Sequence, residues 1–308
     1  MCSSDLLVVS QPDKPAGRGG QLTAPAVKVA AQQLGLRVFQ PASARNGELE
    51  RVLKESAAEI AIVVAYGKIL PKPVLEALPR GCLNVHGSLL PKYRGAAPVQ
   101  WAVIDGEPRT GVSIMQLDEG MDTGPVLLER DVEIGLDETS GELLARLAPI
   151  GAAALLEALA GVEAGTLHAT AQDHAEASHA RMLAKADGDI DFALAPDVVA
   201  ARIRGVDPWP GARAVLRGEV IKLFRARMTD GTAGRAPGTV IEIDARGLHV
   251  ACRGGVVAIR EVQAPGRKRM TAAQFAAGRG VELGDKLSKP AEAPSETPPG
   301  AAGKSPGA

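Results

Sequence analysis

The sequence predicts an α/β protein in which a doubly wound domain is followed by a small β-barrel. About the first 160 residues alternate between short β-branched runs and helical stretches. From about residue 200, five short strands follow one another within about 60 residues, separated by Gly and Asp turns without a long helix. A length of 308 residues gives room for two domains at roughly 150 residues each.

The first domain is predicted to alternate between strands and helices. Its strands are predicted at residues 6–10, 37–39, 60–66, 82–86, 112–117 and 125–134. The run at 60–66 is apolar throughout, which is typical of a parallel strand covered on both faces. Helices are predicted at residues 24–33, 48–56, 72–78 and 99–103. Thr139 and Glu142 have the spacing of a capping box and predict the start of a longer helix.

Composition changes along the chain predict the domain boundaries. We predict a first domain at residues 1–165, a polar linker at 166–199, a basic barrel domain at 200–286 and a disordered tail at 287–308. The barrel strands are predicted at residues 214–216, 220–227, 239–243, 248–252 and 256–262. The tail is predicted from its richness in Pro, Ala, Gly and Ser.

The balanced total charge conceals an asymmetry between the two halves. The chain has 35 Lys and Arg against 36 Asp and Glu, and its 45% hydrophobic content excludes a disordered or collagen-like protein. Residues 200–286 carry 16 basic and 8 acidic residues, whereas residues 1–199 carry 17 basic and 26 acidic residues. Ordinary scatter is one explanation. We favour a second explanation, in which the basic second domain binds a polyanion.

Cysteine usage and hydropathy predict the compartment. Cys2, Cys82 and Cys252 are odd in number and far apart, which predicts reduced thiols and neither a disulfide framework nor a metal site. Cys82 lies in an apolar strand without a nearby cation, so a structural thiol is favoured over a nucleophile. The apolar runs fall far below the ~20 residues that span a bilayer, and residues 1–5 lack a signal-peptide pattern. We therefore expect a cytoplasmic protein without a membrane partner.

Polar residues at the end of one buried strand form the candidate site. Asn84 and His86 are two residues apart and project from one strand face, at the carboxyl end where open α/β sheets bind ligands. A hydrogen-bonded core pair accounts for them equally well. Asp122 follows in a glycine-containing loop and could fix the imidazole tautomer and raise its pKa. A hairpin turn that uses Asp and Gly for backbone reasons is the alternative.

These residues together resemble the folate-dependent formyltransferase family. The resemblance rests on Asn84-x-His86, the following Ser88-Leu89-Leu90-Pro91, and Asp122 within a Gly-x-Asp-Thr-Gly loop. Four further segments, at residues 11–19, 64–67, 94–98 and 207–210, resemble the methionyl-tRNA formyltransferase branch of that family. The resemblance runs from about residue 8 to residue 287 and implies a Rossmann-like catalytic domain followed by an OB-like barrel.

The resemblance implies transfer of a formyl group from 10-formyltetrahydrofolate to the α-amino group of methionyl-initiator tRNA. Asn84 and protonated His86 would stabilise the tetrahedral oxyanion, His86 would then move a proton, and Asp122 would orient His86. The matching stretch Ser88, Leu89, Leu90 and Pro91 would contact the folate. No metal is expected, since the other histidines lack a ligand set: His168, His174, His179 and His249.

Two basic segments are predicted to contact the tRNA. The resemblance implies that Arg18, in a Gly-Arg-Gly loop flanked by Lys14, enters the acceptor stem, whereas composition alone favours a solvated loop. The run Arg267, Lys268 and Arg269 would add contacts from the second domain. Aromatic residues are only 3% of the chain, which favours contact with a duplex backbone over stacking on single-stranded bases.

The start of the sequence departs from the family pattern. Family members have a strand and a glycine-containing loop before the equivalent of residues 7–9, and we expect the first strand and helix to be missing here. An open edge on strand 6–10 would follow, with poor solubility or weak activity. The alternatives are a formyltransferase acting on a small amine, such as glycinamide ribonucleotide or an amino sugar, and an inactive tRNA-binding relic. The Gly-Arg-Gly loop and the basic barrel disfavour the small amine.

Overall fold

The computed structural model describes residues 6–16 and 20–291. The chain divides into two compact units, Met1–Met182 and Leu183–Ala308. The first unit extends past the predicted boundary at residue 165, because the segment that follows the long helix folds back onto it. A short strand in this segment, at His179–Ala180, pairs in parallel with Arg94–Gly95. Part of the predicted linker is therefore built into the first unit.

The first unit contains ten short strands and five α-helices among the described residues. The strands are β1 (Leu7–Val9), β2 (Lys14–Ala16), β3 (Gln21–Thr23), β4 (Arg37–Phe39), β5 (Ala61–Val63), β6 (Cys82–His86), β7 (Arg94–Gly95), β8 (Arg109–Gln116), β9 (Val126–Glu133) and β10 (His179–Ala180). The helices are α1 (Ala26–Gln33), α2 (Glu48–Lys54), α3 (Lys72–Leu75), α4 (Pro98–Ile104) and α5 (Ser140–Ala164). The predicted α/β alternation is confirmed.

Four strands of the first unit form a mixed sheet. β5 and β6 are parallel, and β8 and β9 extend the sheet in the order β5-β6-β8-β9 with antiparallel pairing. β1 pairs in parallel with β4, and among the described residues it has no other strand partner. The hairpin β2–β3 was not predicted, and the Gly-Arg-Gly loop at its tip lies outside the described residues.

Helix α5 covers one face of this sheet. The predicted capping box is present, with the Thr139 hydroxyl accepting from the Glu142 N–H. Leu143 and Leu147 pack into the core with Leu83 and Ile114 of the sheet. By length and composition alone, α5 is apolar enough to cross a membrane, which the short apolar runs of the sequence did not predict. Its buried side chains, which include Leu143 and Leu147, contact the sheet.

The second unit is a barrel-like sheet, as predicted. Its strands are β11 (Ala212–Leu216), β12 (Glu219–Thr229), β13 (Val240–Asp244), β14 (Gly247–Cys252), β15 (Gly255–Gln263), β16 (Met270–Thr271) and β17 (Leu287–Ser288). They pair in the order β13-β14-β15-β12-β11-β17, with β16 added to β15. A bridge between Thr239 and Lys286, with the Leu287 N–H donating to the Gly238 carbonyl, brings the two ends together. These contacts cover part of the two outer edges.

Three features of the second unit differ from the prediction. Helix α6 (Pro196–Gly205), which begins inside the predicted linker, and helix α7 (Ala272–Ala277) were both missed. The predicted disordered tail begins with β17, in which Leu287 is buried in the barrel. Residues 292–308 of the predicted tail lie outside the described residues.

Candidate active site

Strand β6 carries its polar side chains on one face. Leu83 and Val85 point toward the core beneath α5, so Asn84 and His86 project together from the opposite face. The His86 side chain is 5% exposed. The Asn84 carboxamide is half-buried and has no hydrogen-bond partner among the described residues. A half-buried amide without a partner is available to a ligand, which a satisfied core pair is not.

The His86 ring is held by a main-chain carbonyl. Its Nε2 lies 2.9 Å from the Tyr93 oxygen, and because a carbonyl can only accept, Nε2 carries a proton. Its Nδ1 lies 3.7 Å from the Asp122 Oδ2, within ion-pair range but too far for a hydrogen bond. The tautomer, which sequence analysis assigned to Asp122, is therefore set by Tyr93. A main-chain carbonyl gives no residue-type signal, so the sequence could not show this contact.

Asp122 faces His86 because its loop adopts an unusual backbone. The residue has a φ of +54°, in the left-handed region, and its Oδ2 accepts the Gly95 N–H at 2.8 Å. Asp118 stabilises the same loop by accepting from the Gly120 N–H and the Thr123 hydroxyl. Asp118 forms the hydrogen bonds of the turn, and Asp122 faces His86 from the same loop.

The stretch predicted to contact folate forms a tight turn after β6. Ser88 is fully buried and donates its hydroxyl to the Lys92 carbonyl at 2.6 Å. The Leu90 N–H donates to the Ser113 hydroxyl at 3.1 Å, which anchors the turn on β8. Leu89 and Pro91 remain partly exposed. Ser88 therefore shapes the turn, and Leu89 and Pro91 are the members with surface available to a ligand.

The predicted tRNA-binding residues differ in availability. Lys14 is exposed on β2, and Arg18 lies outside the described residues. Arg267 and Lys268 are exposed without an ion-pair partner among the described residues. Arg269 is instead held by Glu261 and Asp207, with its guanidinium 4.0 Å from the centre of the Phe224 ring. The three members of the basic run are therefore not equivalent.

Cys82 does not have the environment of a nucleophile. Burial raises the pKa of its thiol to about 11, and its Sγ faces the carbonyls of Val74 and Leu75. A reactive thiol needs a nearby positive charge that lowers its pKa. The structure agrees with the prediction of a structural cysteine.

One side-chain cluster in the barrel has the composition of a metal site. The ligand atoms of Glu242, Asp244 and His249 lie within 4.8 Å of one another, so the expectation that His249 lacks such company was wrong. The register of β13 and β14 places Glu242 opposite His249. Asp244, however, accepts from the N–H groups of Arg246 and Gly247 and pairs with both His249 and the Arg246 guanidinium. These are the hydrogen bonds of a hairpin turn, and the turn explains why the three side chains lie close together.

Comparison with known proteins shows that two family profiles match the chain. The profile described as "Formyl transferase" matches residues 3–159, and the profile "Formyl transferase, C-terminal domain" matches residues 182–280. The "Methionyl-tRNA formyltransferase" of Desulfotalea psychrophila is 48% identical over 88% of this chain and 84% of its own length. The proteins of the same name from Geotalea daltonii and Sorangium cellulosum are 46% and 44% identical over 91% and 92% of this chain, and 89% and 91% of their own lengths.

Solved structures share the fold at low sequence identity. The sugar 3N-formyltransferase WlaRD, determined with dTDP and 5-N-formyl-THF, superposes with a TM-score of 0.63 at 15% identity over 85% of this chain and 88% of that one. HypX from Aquifex aeolicus, determined with tetrahydrofolic acid, gives 0.58 at 19% identity over 80% of this chain and 43% of that one. The profiles and the identity to full-length relatives show that the chain belongs to the formyl transferase family.

Proposed function

We propose that this chain transfers the formyl group of 10-formyltetrahydrofolate to the α-amino group of methionine esterified to initiator tRNA. Relatives named for methionyl-tRNA formylation are 44–48% identical to it over 88–92% of its length. The observation that carries the chemistry is the meeting of Asn84, His86 and Asp122 at the end of β6. The reaction belongs to translation initiation in the cytoplasm and uses the folate as a co-substrate, without a metal.

The three side chains suit an acyl-type transfer between two nitrogens. The methionine amine attacks the formyl carbon, a C–N bond forms, and the carbonyl oxygen becomes an oxyanion. The bond from that carbon to N10 of the folate then breaks, while the amine proton ends on N10. The Asn84 amide, which has no hydrogen-bond partner among the described residues, donates to the oxyanion. A donor that is already in position before the reaction stabilises this developing charge without reorganisation.

His86 supplies the mobile proton at Nδ1. Its Nε2 proton is committed to the Tyr93 carbonyl, so Nδ1 is the nitrogen that accepts a proton and releases it. When both nitrogens carry protons, the ring is a cation beside the oxyanion, and the Asp122 carboxylate 3.7 Å away stabilises that charge. His86 therefore stabilises the oxyanion electrostatically and delivers the proton to the departing N10.

The two substrates contact different residues of the chain. The partly exposed Leu89 and Pro91 border the end of β6 and offer apolar surface for the folate ring system. The second unit supplies positive charge for the tRNA backbone, with Arg267 and Lys268 exposed and without ion-pair partners among the described residues. Lys14 and Arg18 complete the proposed tRNA contacts from the first unit.

A formylation assay tests the proposal. The chain should formylate Met-tRNA in the presence of 10-formyltetrahydrofolate, and glycinamide ribonucleotide or a nucleotide-linked amino sugar should be a poor acceptor. His86→Ala should lower kcat by several orders of magnitude with little change in Met-tRNA binding, because the proton and oxyanion roles arise in the transition state. His168→Ala, at an exposed histidine outside the site, is the matched control. Efficient formylation of a small amine with no activity on Met-tRNA would contradict the substrate assignment.

A further inference from the structure

We propose that Gln172 is a positioning residue for this reaction, because its side chain holds the main chain of the Asp122 loop in the conformation that faces His86. This inference rests on the proposed function for its kinetic consequence. Gln172 lies beyond α5, in the segment that sequence analysis predicted as linker, and its side chain is 9% exposed. No motif in the sequence singled it out.

The Gln172 amide bridges two segments of the first unit. Its Nε2 donates to the carbonyl oxygens of Asp122 at 2.9 Å and of Gly124 at 2.6 Å. Its Oε1 accepts from the Arg94 guanidinium, at 3.0 Å from Nε and 2.6 Å from Nη2. The hydrogen-bonding capacity of the amide is thus divided between the Asp122 loop on one side and β7 on the other.

Arg94 fixes which way this amide points. The Arg94 side chain is 4% exposed, and among the described residues no carboxylate lies within ion-pair distance of it. Its Nη2 also approaches the His174 Nδ1 at 3.1 Å, and because a guanidinium can only donate, that nitrogen accepts. Arg94 therefore requires an acceptor from Gln172, which turns the amide NH₂ toward the loop carbonyls.

This arrangement selects glutamine among the side chains. The Asp122 and Gly124 carbonyls can only accept and Arg94 can only donate, so the bridging group needs a donor at one end and an acceptor at the other. A glutamate would bind Arg94 but repel the two carbonyls, and a lysine would do the reverse. Asparagine is one methylene shorter. The residue type is explained by its two sets of neighbours.

Three consecutive residues, Tyr93 to Gly95, link the Gln172 side chain to His86 and Asp122. The Tyr93 carbonyl holds the His86 ring, the Arg94 side chain holds Gln172, and the Gly95 N–H holds the Asp122 carboxylate. Asp122 has a φ of +54°, which a residue with a side chain retains only when its surroundings impose it. Gln172 supplies that constraint at the Asp122 carbonyl.

Gln172→Glu, which retains the shape of the side chain, tests this role. We expect kcat for Met-tRNA formylation to fall by about 10- to 100-fold, the scale of a small displacement of a reacting group, with the KM of each substrate within twofold. Hydrogen exchange of the Gly95 amide should become faster, since its acceptor on Asp122 is no longer held. Gln33→Glu, at an exposed glutamine without a side-chain hydrogen bond among the described residues, is the matched control. Gln172→Met removes both the donor and the acceptor without adding a charge, and it should lower kcat and speed Gly95 exchange in the same way if the glutamate variant fails to fold.

A double mutant separates positioning from a general structural effect. If Gln172 acts through Asp122, Gln172→Glu should cause little further loss of kcat in the Asp122→Asn background, whereas independent defects would multiply. Multiplying losses, or an unchanged kcat together with an unchanged Gly95 exchange rate, would overturn the inference. The exchange measurement needs no substrate. An inactive wild-type chain would therefore contradict the proposed function while leaving the contribution of Gln172 measurable.

Discussion

Asp122→Asn removes one negative charge from the site and leaves its shape nearly intact. The asparagine oxygen can still accept the Gly95 N–H, which Asp122 Oδ2 now accepts at 2.8 Å. What is lost is the attraction between the carboxylate and a protonated His86, whose Nδ1 lies 3.7 Å away. The substitution therefore measures the contribution of that charge to the transition state.

The distance sets the expected magnitude. Two unit charges about 4 Å apart interact by about 1 kcal/mol in water and about 4 kcal/mol at the effective dielectric constant of ~20 that suits protein sites. The side chains of His86 and Asp122 are 5% and 15% exposed, which places the pair nearer the second value. A loss of about 3–4 kcal/mol corresponds to a decrease in kcat of roughly 10²- to 10³-fold.

Single-turnover formylation of Met-tRNA at saturating folate measures this loss without interference from product release. Asp118→Asn is the matched control, since it removes a carboxylate charge from the same loop while keeping a side-chain oxygen that can accept the Gly120 N–H. The KM for Met-tRNA should stay within about twofold of wild type, because neither Asp122 nor His86 is assigned a role in tRNA binding. A rate for Asp122→Asn within threefold of wild type would refute the charge-stabilisation role.

Three further predictions concern the tRNA interface, the cap of α5 and the buried thiols. Charge reversal at Arg267 and Lys268 should reduce the slope of log Kd for tRNA against log salt by the contribution of roughly two phosphate contacts, as measured by fluorescence titration. An unchanged slope would show that neither residue contacts the tRNA. Thr139→Ala should lower the free energy of unfolding by about 1 kcal/mol in urea denaturation with kcat unchanged, since it removes only the cap of α5. The thiols of Cys82 and Cys252, whose pKa values burial raises to about 11 and about 12, should resist alkylation at pH 8 by mass spectrometry.

The local pattern of the chain predicted part of its helices and strands and the strand face that carries the candidate site. The period-2 alternation of residues 82–86 is sufficient to place Asn84 and His86 on one face, and β6 spans Cys82–His86. The capping box at Thr139 also appears as predicted. These features depend on neighbouring residues in the sequence, so residue type and spacing are sufficient to predict them.

The tertiary structure decided which atoms these side chains meet. The Tyr93 carbonyl that sets the His86 tautomer and the Gly95 N–H that holds Asp122 are main-chain groups, which carry no residue-type signal. Gln172 reaches Asp122 across fifty positions from a segment with the composition of a linker. Arg269 has the sequence context of a free cation but is held by Asp207 and Glu261. The sequence by itself determined what chemistry each side chain could perform, whereas partners, charge and backbone conformation depend on long-range packing that residue spacing does not encode.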